Sequence, residues 1–160
     1  MRGLRIAISS FFLLLFLAGC AAFREVEEAL VLTPGEFDVV VAEDAPPAHR
    51  YAAEELARFL GEALNGPPPV VAQRKRGRPY ILLQGREDAQ GVSKEAFRIA
   101  IGRRGIVIEG KSPRGTLYGA YQFLEEYAGV RFLTADHTHV PKTERLAIPL
   151  GERTYAPPFA

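Results

Sequence analysis

The chain has a single cysteine, a single methionine, three histidines and no tryptophan in 160 residues. One cysteine excludes a disulfide framework, and with so few histidines there is no finger-type pattern of paired zinc ligands. Neither sign of charge predominates. Lys+Arg number 20 against 19 Asp+Glu, a formal net charge of +1, so the strongly basic balance of a nucleic-acid binder is missing and no nucleic-acid partner is expected. Length is scarce too: a (β/α)8 barrel takes about 250 residues, which leaves room here for one domain and an appendage. What is present is ordinary globular material, 48% hydrophobic and 24% charged, well away from the disordered class.

The appendage comes first. Arg2 and Arg5 precede an apolar stretch from Ile6 to Ala18 broken only by Ser9 and Ser10, the layout of an export signal. It is shorter than the roughly 20 apolar residues that span a bilayer. Leu17-Ala18-Gly19-Cys20 follows and is similar to a bacterial lipobox, a resemblance that implies cleavage before Cys20 and acylation of its thiol. Ala18 and Gly19 suit a narrow protease subsite, and cysteine is the side chain able to form a thioether to lipid. Residues 1–19 are therefore expected to be a removable signal, 20–36 an anchored Cys20 and spacer, and 37–157 the folded domain. Each buried acyl methylene contributes about 0.8 kcal/mol, so the expected place is extracytoplasmic, lipid-anchored to the bacterial cell membrane or outer membrane.

Along the remaining chain, Phe37 to Ala42 is a β-branched run bounded by turn residues and reads as a buried strand. Asp44 is positioned to cap the next helix, with Pro46 and Pro47 in its first turn. Ala48, Ala52, Leu56, Phe59, Leu60 and Ala63 share one face of that helix, and Arg50, Glu54, Glu55, Arg58 and Glu62 occupy the rest. Asn65-Gly66 and the prolines after it end it. Val70–Ala72 and Tyr80–Leu83 read as strands. Phe97, Ile99 and Ile101 alternate with Arg98, Ala100 and Gly102, and Arg103-Arg104-Gly105 turns the chain back into Ile106-Val107-Ile108 as a hairpin. Ser112 and Pro113 open a second helix whose apolar stripe is Leu117, Ala120, Tyr121, Leu124, Tyr127 and Ala128, ended by Gly129. Val130–Leu133 and Leu146–Ile148 are further strands. The fold class is α+β, a mixed sheet covered by two amphipathic helices in two layers.

Gly105-Ile106-Val107-Ile108-Glu109-Gly110-Lys111-Ser112 fits the phosphate-loop formula. That loop has to be irregular for its N–H groups to curl around phosphates, whereas Ile-Val-Ile favours extended strand. Glu109 would also set a carboxylate against the phosphates, and an exported domain meets little nucleotide. A strand, a turn and a helix cap account for the residues, and no nucleotide or other cofactor is expected. Asp136-His137-Thr138-His139 puts two imidazoles on one strand face, but a stable site needs further ligands and only His49 remains, so no metal is expected. Glu43-Asp44, Glu54-Glu55 and Glu125-Glu126 are adjacent on surface positions rather than opposed across a cleft, as glycoside hydrolysis requires. The run Arg74-Lys75-Arg76-Gly77-Arg78 reads as a solvated loop, with lipid headgroups or an acidic glycan as its functional alternative. No catalytic residue is assigned.

The block Lys111-Ser112-Pro113-Arg114-Gly115-Thr116-Leu117-Tyr118-Gly119-Ala120-Tyr121, with Val39-Val40-Val41-Ala42-Glu43-Asp44 before it and Gly129-Val130-Arg131-Phe132-Leu133 after it, resembles the N-terminal domain of bacterial α-glucuronidase-type glycoside hydrolases. More distantly it resembles the second domain of β-N-acetylhexosaminidases. The resemblance implies a domain that precedes a catalytic barrel and holds none of the catalytic carboxylates, acting in an enzyme on glycans such as glucuronoxylan. Tyr118 and Tyr121 offer amphipathic area for a domain contact, and Arg114 is the candidate for an ion pair across it. Because the sequence stops at Thr154–Ala160, about where that barrel would begin, the expectation is a truncated or split enzyme whose barrel is encoded separately. A freestanding cell-surface module that binds a glycan or a protein is the alternative.

Overall fold

The computed structural model describes residues 28–86, 93–134 and 136–156. The residues read as a signal, and Cys20, lie outside them. Six strands form a mixed sheet: β2 (Asp38–Val40), β3 (Val70–Val71), β4 (Tyr80–Gly85), β5 (Phe97–Gly102), β6 (Gly105–Gly110) and β10 (Gly151–Tyr155), in the order β10-β5-β6-β4-β2-β3. β3, β2, β4 and β6 run parallel, while β5 and β10 are antiparallel to their neighbours. Two small antiparallel pairs flank the sheet, β1 (Ala29–Leu32) with β9 (Leu146–Pro149) and β7 (Arg131–Thr134) with β8 (His137–His139).

Side-chain alternation divides the sheet cleanly. Val39, Ile81, Ile106 and Ile101 form one row across it and Leu83, Ile108 and Ile99 the next, all buried under the helices. On the opposite face the buried Val40 and the half-buried Leu82, Val107 and Ala100 make a row. Beside it lies a polar row, in which Gln84 and Arg98 hydrogen-bond Glu109 and Arg98 also reaches Glu152 at 3.0 Å.

The helices α1 (Pro47–Leu64) and α2 (Pro113–Glu126) pack on each other and on the inner rows. α1 buries Ala52, Leu56, Phe59, Leu60 and Ala63 as its period requires, and ends on Asn65 in the left-handed region at φ 56°. Pro46, not Asp44, is its N-cap, with no side-chain cap bond, because Pro47 already removes one of the N–H groups that a cap would satisfy. α2 begins as expected: Ser112 Oγ accepts from Gly115 N at 3.1 Å and Pro113 follows. Its buried face is rotated from the sequence stripe, taking in Gly115, Thr116, Gly119 and Phe123 and leaving Tyr121 and Tyr127 half-exposed. Gly119 permits this, since a Cβ there would come within 2.6 Å of Ile108 Cγ2 and 3.1 Å of the Phe97 ring.

Two expectations are corrected here. The spacer read over 20–36 contains β1, whose Leu30 and Leu32 are buried against β9, so the fold starts at least as early as Ala29. Glu55, read as surface charge, is buried because partners from α1 and α2 satisfy its carboxylate, as described below. The phosphate-loop formula falls on β6, paired with β4 on one side and β5 on the other, so its amides are committed to extended ladders.

His49 on α1 is only 4% exposed, and its Nε2 has no hydrogen-bond partner among the described residues. Burial pushes its imidazole below the ordinary value. The unfolded chain then binds the proton first as pH falls, so stability drops through the window from about 6.5 down to the lowered native value. One such proton contributes at most about 1.4 kcal/mol per pH unit. Urea unfolding of His49→Leu at several pH values between about 7 and 5 should show a shallower slope than wild type; an unchanged slope would assign the acid sensitivity elsewhere.

Candidate docking surface

The outer side of the helix layer carries the largest concentration of exposed aromatic area among the described residues. Tyr51 of α1, Tyr118 of α2 and Phe132 and Leu133 of β7 are exposed, Leu133 by 59%. Between the helices the buried Glu55 carboxylate is held by Tyr121 and by Arg58, whose own side chain is 58% exposed. Glu55 Oε1 accepts from Arg58 Nε at 3.0 Å and Nη2 at 2.8 Å, and its Oε2 accepts from the Tyr121 hydroxyl at 2.9 Å. Arg58 in turn lies 3.8 Å over the Phe59 ring. Burial, then the hydrogen bond to Glu55, pushes the Tyr121 hydroxyl far above its usual pKa, so it remains a proton donor and the carboxylate stays the acceptor.

Phe132 joins the two helices. Its ring meets Phe59 and Tyr121 edge-on at 5.3 and 5.2 Å between centroids, near-perpendicular in both cases, the geometry that aromatic quadrupoles prefer. Strand β7 pairs only with the short β8, and all four of its residues are exposed. The surface therefore combines exposed apolar side chains with the exposed Arg58 guanidinium over Phe59, a combination suited to packing against another folded body.

The residues singled out from sequence divide. Tyr118 and Tyr121 lie one turn apart on this surface, Tyr121 with its hydroxyl turned inward and Tyr118 facing out. Arg114, a turn earlier, pairs with Glu95 of its own domain at 2.8 Å while its side chain stays 67% exposed. Sequence reasoning missed Tyr51, Glu55, Phe132 and Leu133; the period of α1 was there to place Tyr51 outside, but nothing local marks Phe132 as a bridge. His137 and His139 are exposed on β8, whereas His49 is buried in α1. Among the described residues no three His, Cys, Asp or Glu converge as a metal site. No described helix is long and apolar enough to cross a membrane.

The buried carboxylates have the same character throughout. Asp38 is tied to Arg78, Glu55 to Arg58 and Glu109 to Arg98, so each neutralises a guanidinium within the fold. None opposes a second carboxylate across a cleft.

Residues 27–141 match the family model described as glycosyl hydrolase family 20, domain 2. The chain belongs to that family. As a domain-2 module it is an accessory part of glycoside hydrolases, and the mixed sheet with its two helices is the hexosaminidase domain-2 fold. Solved structures agree on the fold. The family 20 β-N-acetylhexosaminidase from Streptomyces coelicolor A3(2) superposes with a TM-score of 0.60 at 18% identity, covering 82% of this chain and 24% of that one. The N-acetyl-β-hexosaminidase of Streptomyces plicatus gives 0.60 at 17% identity over the same shares. A family GH115 4-O-methyl-α-glucuronidase, BtGH115A, described as specific for decorated arabinogalactans, gives 0.58 at 17% identity, covering 79% of this chain and 18% of its own. The domain-2 chain thus spans at most 24% of the length of these enzymes. No curated protein matches it in sequence.

Proposed function

We propose that this chain is the non-catalytic accessory domain of a carbohydrate-active enzyme, held at an extracytoplasmic membrane surface through acylated Cys20, and that its helix layer docks on a catalytic barrel. The observation that carries the reading is the exposed apolar area of Tyr51, Tyr118, Phe132 and Leu133 on α1, α2 and β7, with Phe132 packed on Phe59 and Tyr121. The described carboxylates support a non-catalytic role, because those that are buried serve ion pairs of the fold. The barrel is a glycoside hydrolase, in line with the two enzyme types that share the fold, and glycans such as glucuronoxylan are its substrates on the strength of the sequence resemblance alone. Anchoring is supported by Leu17-Ala18-Gly19-Cys20 after a charged, apolar leader.

Two measurements test this. Mass spectrometry of the chain from bacterial membranes should find Cys20 as the acylated N-terminal residue; a free thiol there, or an uncut leader, would sink the anchor. For docking, the chain should retain a glycosidase from host membranes, scored by hydrolysis of nitrophenyl N-acetylglucosaminide and of glucuronoxylan. Tyr118→Ser with Leu133→Ser should weaken that retention at least about ten-fold, the size expected for losing buried anchors, with the melting temperature changed by no more than about 2 °C. Equal retention by the variant, or sugar release by the chain alone, would overturn the reading.

A further inference from the structure

The basic run Arg74-Lys75-Arg76-Gly77-Arg78 takes no part in the helix layer, and it does not stand alone. Strand register brings it beside a second basic loop: Asp38 of β2 faces Tyr80 of β4, Tyr80 faces Gly105 of β6, and Gly105 faces Gly102 of β5. The segment entering β4 and the turn between β5 and β6 therefore meet at one end of the sheet. Arg74, Lys75, Arg76, Arg78, Arg103 and Arg104 together wall a shallow depression there with Tyr80.

Three of these cations are held by the fold. Arg78 pairs with Asp38 at 2.7 Å, Arg74 donates to the Tyr80 hydroxyl at 2.9 Å and lies over its ring, and Arg103 pairs with Glu28 at 2.7 Å. Lys75, Arg76 and Arg104 are exposed, and no carboxylate among the described residues pairs with them. The remaining acid close by, Glu36, takes the Thr33 hydroxyl, in the turn whose Gly35 carbonyl accepts from Arg78.

The Arg103–Glu28 pair also locates the entry of the chain. Glu28 is fixed a second time by Leu150 N, which donates to its carbonyl at 3.0 Å, and the strand that follows Leu150 pairs Gly151 with Ile101, next to the same turn. Residues before Glu28 thus start from the basic end. Cys20 lies eight positions upstream, and a chain of that length reaches at most about 30 Å.

We infer that the basic end of the sheet is a membrane-facing surface that takes the headgroups of anionic phospholipids. The inference rests on the anchor reading for its choice of occupant: a lipid at Cys20 would hold these cations against a bilayer, within a tether's reach of it. A polybasic patch is the second signal that complements an acyl chain in surface attachment, and it would orient the domain as well as retain it. Each Lys or Arg close to an anionic surface strengthens binding by roughly five-fold, so Lys75, Arg76 and Arg104 together amount to a factor on the order of 100.

The test uses residues 20–160 carrying Cys20→Ser, so that no acyl chain contributes. Its binding to vesicles of phosphatidylethanolamine with about one quarter phosphatidylglycerol should be measurable at low ionic strength and fall away by about 0.5 M salt, where screening is nearly complete. Phosphatidylcholine vesicles should retain none. Adding Lys75→Gln, Arg76→Gln and Arg104→Gln should weaken binding on the order of 100-fold while the thermal melt stays that of the parent. Equal binding to neutral vesicles, or an unaffected triple variant, overturns the inference. So does retention on soluble polygalacturonate without vesicle binding, which would hand the patch to an acidic glycan. The two readings fail separately: an unacylated Cys20 with charge-dependent vesicle binding removes the anchor alone, and an acylated Cys20 with no such binding removes the patch alone.

Discussion

Replacing Gly110 with alanine is expected to destroy the cooperative fold. A Cβ at this position would lie 2.0 Å from Thr116 N, 2.5 Å from the Gly115 carbonyl carbon and 2.5 Å from Thr116 Oγ1. Two of those three are main-chain atoms in the first turn of α2, so no rotamer change relieves the contact. Nor can the turn retreat without cost. Thr116 is fully buried, its hydroxyl accepting from Gly110 N at 3.1 Å and donating to the Gln84 carbonyl at 3.0 Å, and those bonds fasten the start of α2 to the ends of β6 and β4. Overpacking against backbone together with loss of a buried hydrogen-bonded junction belongs to the exceptional class of about 4 kcal/mol or more. For a domain of this size that is a melting temperature lower by about 15 °C, or no transition at all. Gly35→Ala supplies the contrast. Its φ is +70° with nothing within 4 Å, so it should cost only about 1 kcal/mol of backbone strain. A Gly110→Ala chain that unfolds in urea within about 1 kcal/mol of wild type would show that the β6–α2 junction yields.

Arg78→Ala should be nearly as damaging, for an electrostatic reason. Asp38 is 1% exposed and its Oδ1 accepts from Arg78 Nε at 2.7 Å, while Oδ2 has no hydrogen-bond partner among the described residues. The same guanidinium donates to the carbonyls of Gly35 and Phe37, so it also closes the turn between β1 and β2. Arg78 is partly exposed, but Asp38 is buried, so removing the arginine leaves an uncompensated buried charge, worth about 3 kcal/mol. The double replacement Asp38→Leu with Arg78→Met should be milder than Arg78→Ala alone, since it takes out both charges at similar volume. Denaturant midpoints of the three chains decide it. A single variant costing less than about 1 kcal/mol would mean that water reaches Asp38 once the arginine is gone.

Much of the fold was open to sequence reasoning because its signals are local. The period of α1, the Ser112-Pro113 start of α2 and the alternation in Phe97–Ile101 each specify an element without outside help. What escaped depends on distant partners. β1 is only four residues long, Ala-Leu-Val-Leu; all four are apolar, so the letters do not show its alternation of exposed and buried positions, and the acidic residues before it read as spacer. β10 shows almost no alternation, being an edge strand with exposed side chains down to Tyr155, which stacks on Phe97 at 4.9 Å. Burial of Glu55 needed Tyr121 from the other helix, a relation that spacing along α1 cannot express.

The candidate surface was half legible. Tyr118 and Tyr121 stood out as amphipathic groups on a helix, whereas Phe132 and Leu133 read only as part of a strand. Their exposure follows from the topology: β7 belongs to a separate two-stranded ribbon outside the six-stranded sheet, and sequence patterning gives no hint of which sheet a strand will join.

The ribbon formed by β1 and β9 has a bearing on how the domain is assembled. It joins Ala29 to Pro149, almost the two extremes of the described chain, so closing it orders a loop that contains both helices and most of the sheet. Loop-closure entropy of that kind is repaid only after local contacts exist, and here the β5–β6 hairpin and the two helices can form first. A chain made from its N-terminus exposes Leu30 and Leu32 long before Ile148 arrives to cover them. The first apolar residues of the domain to be made are thus among the last to find their partners.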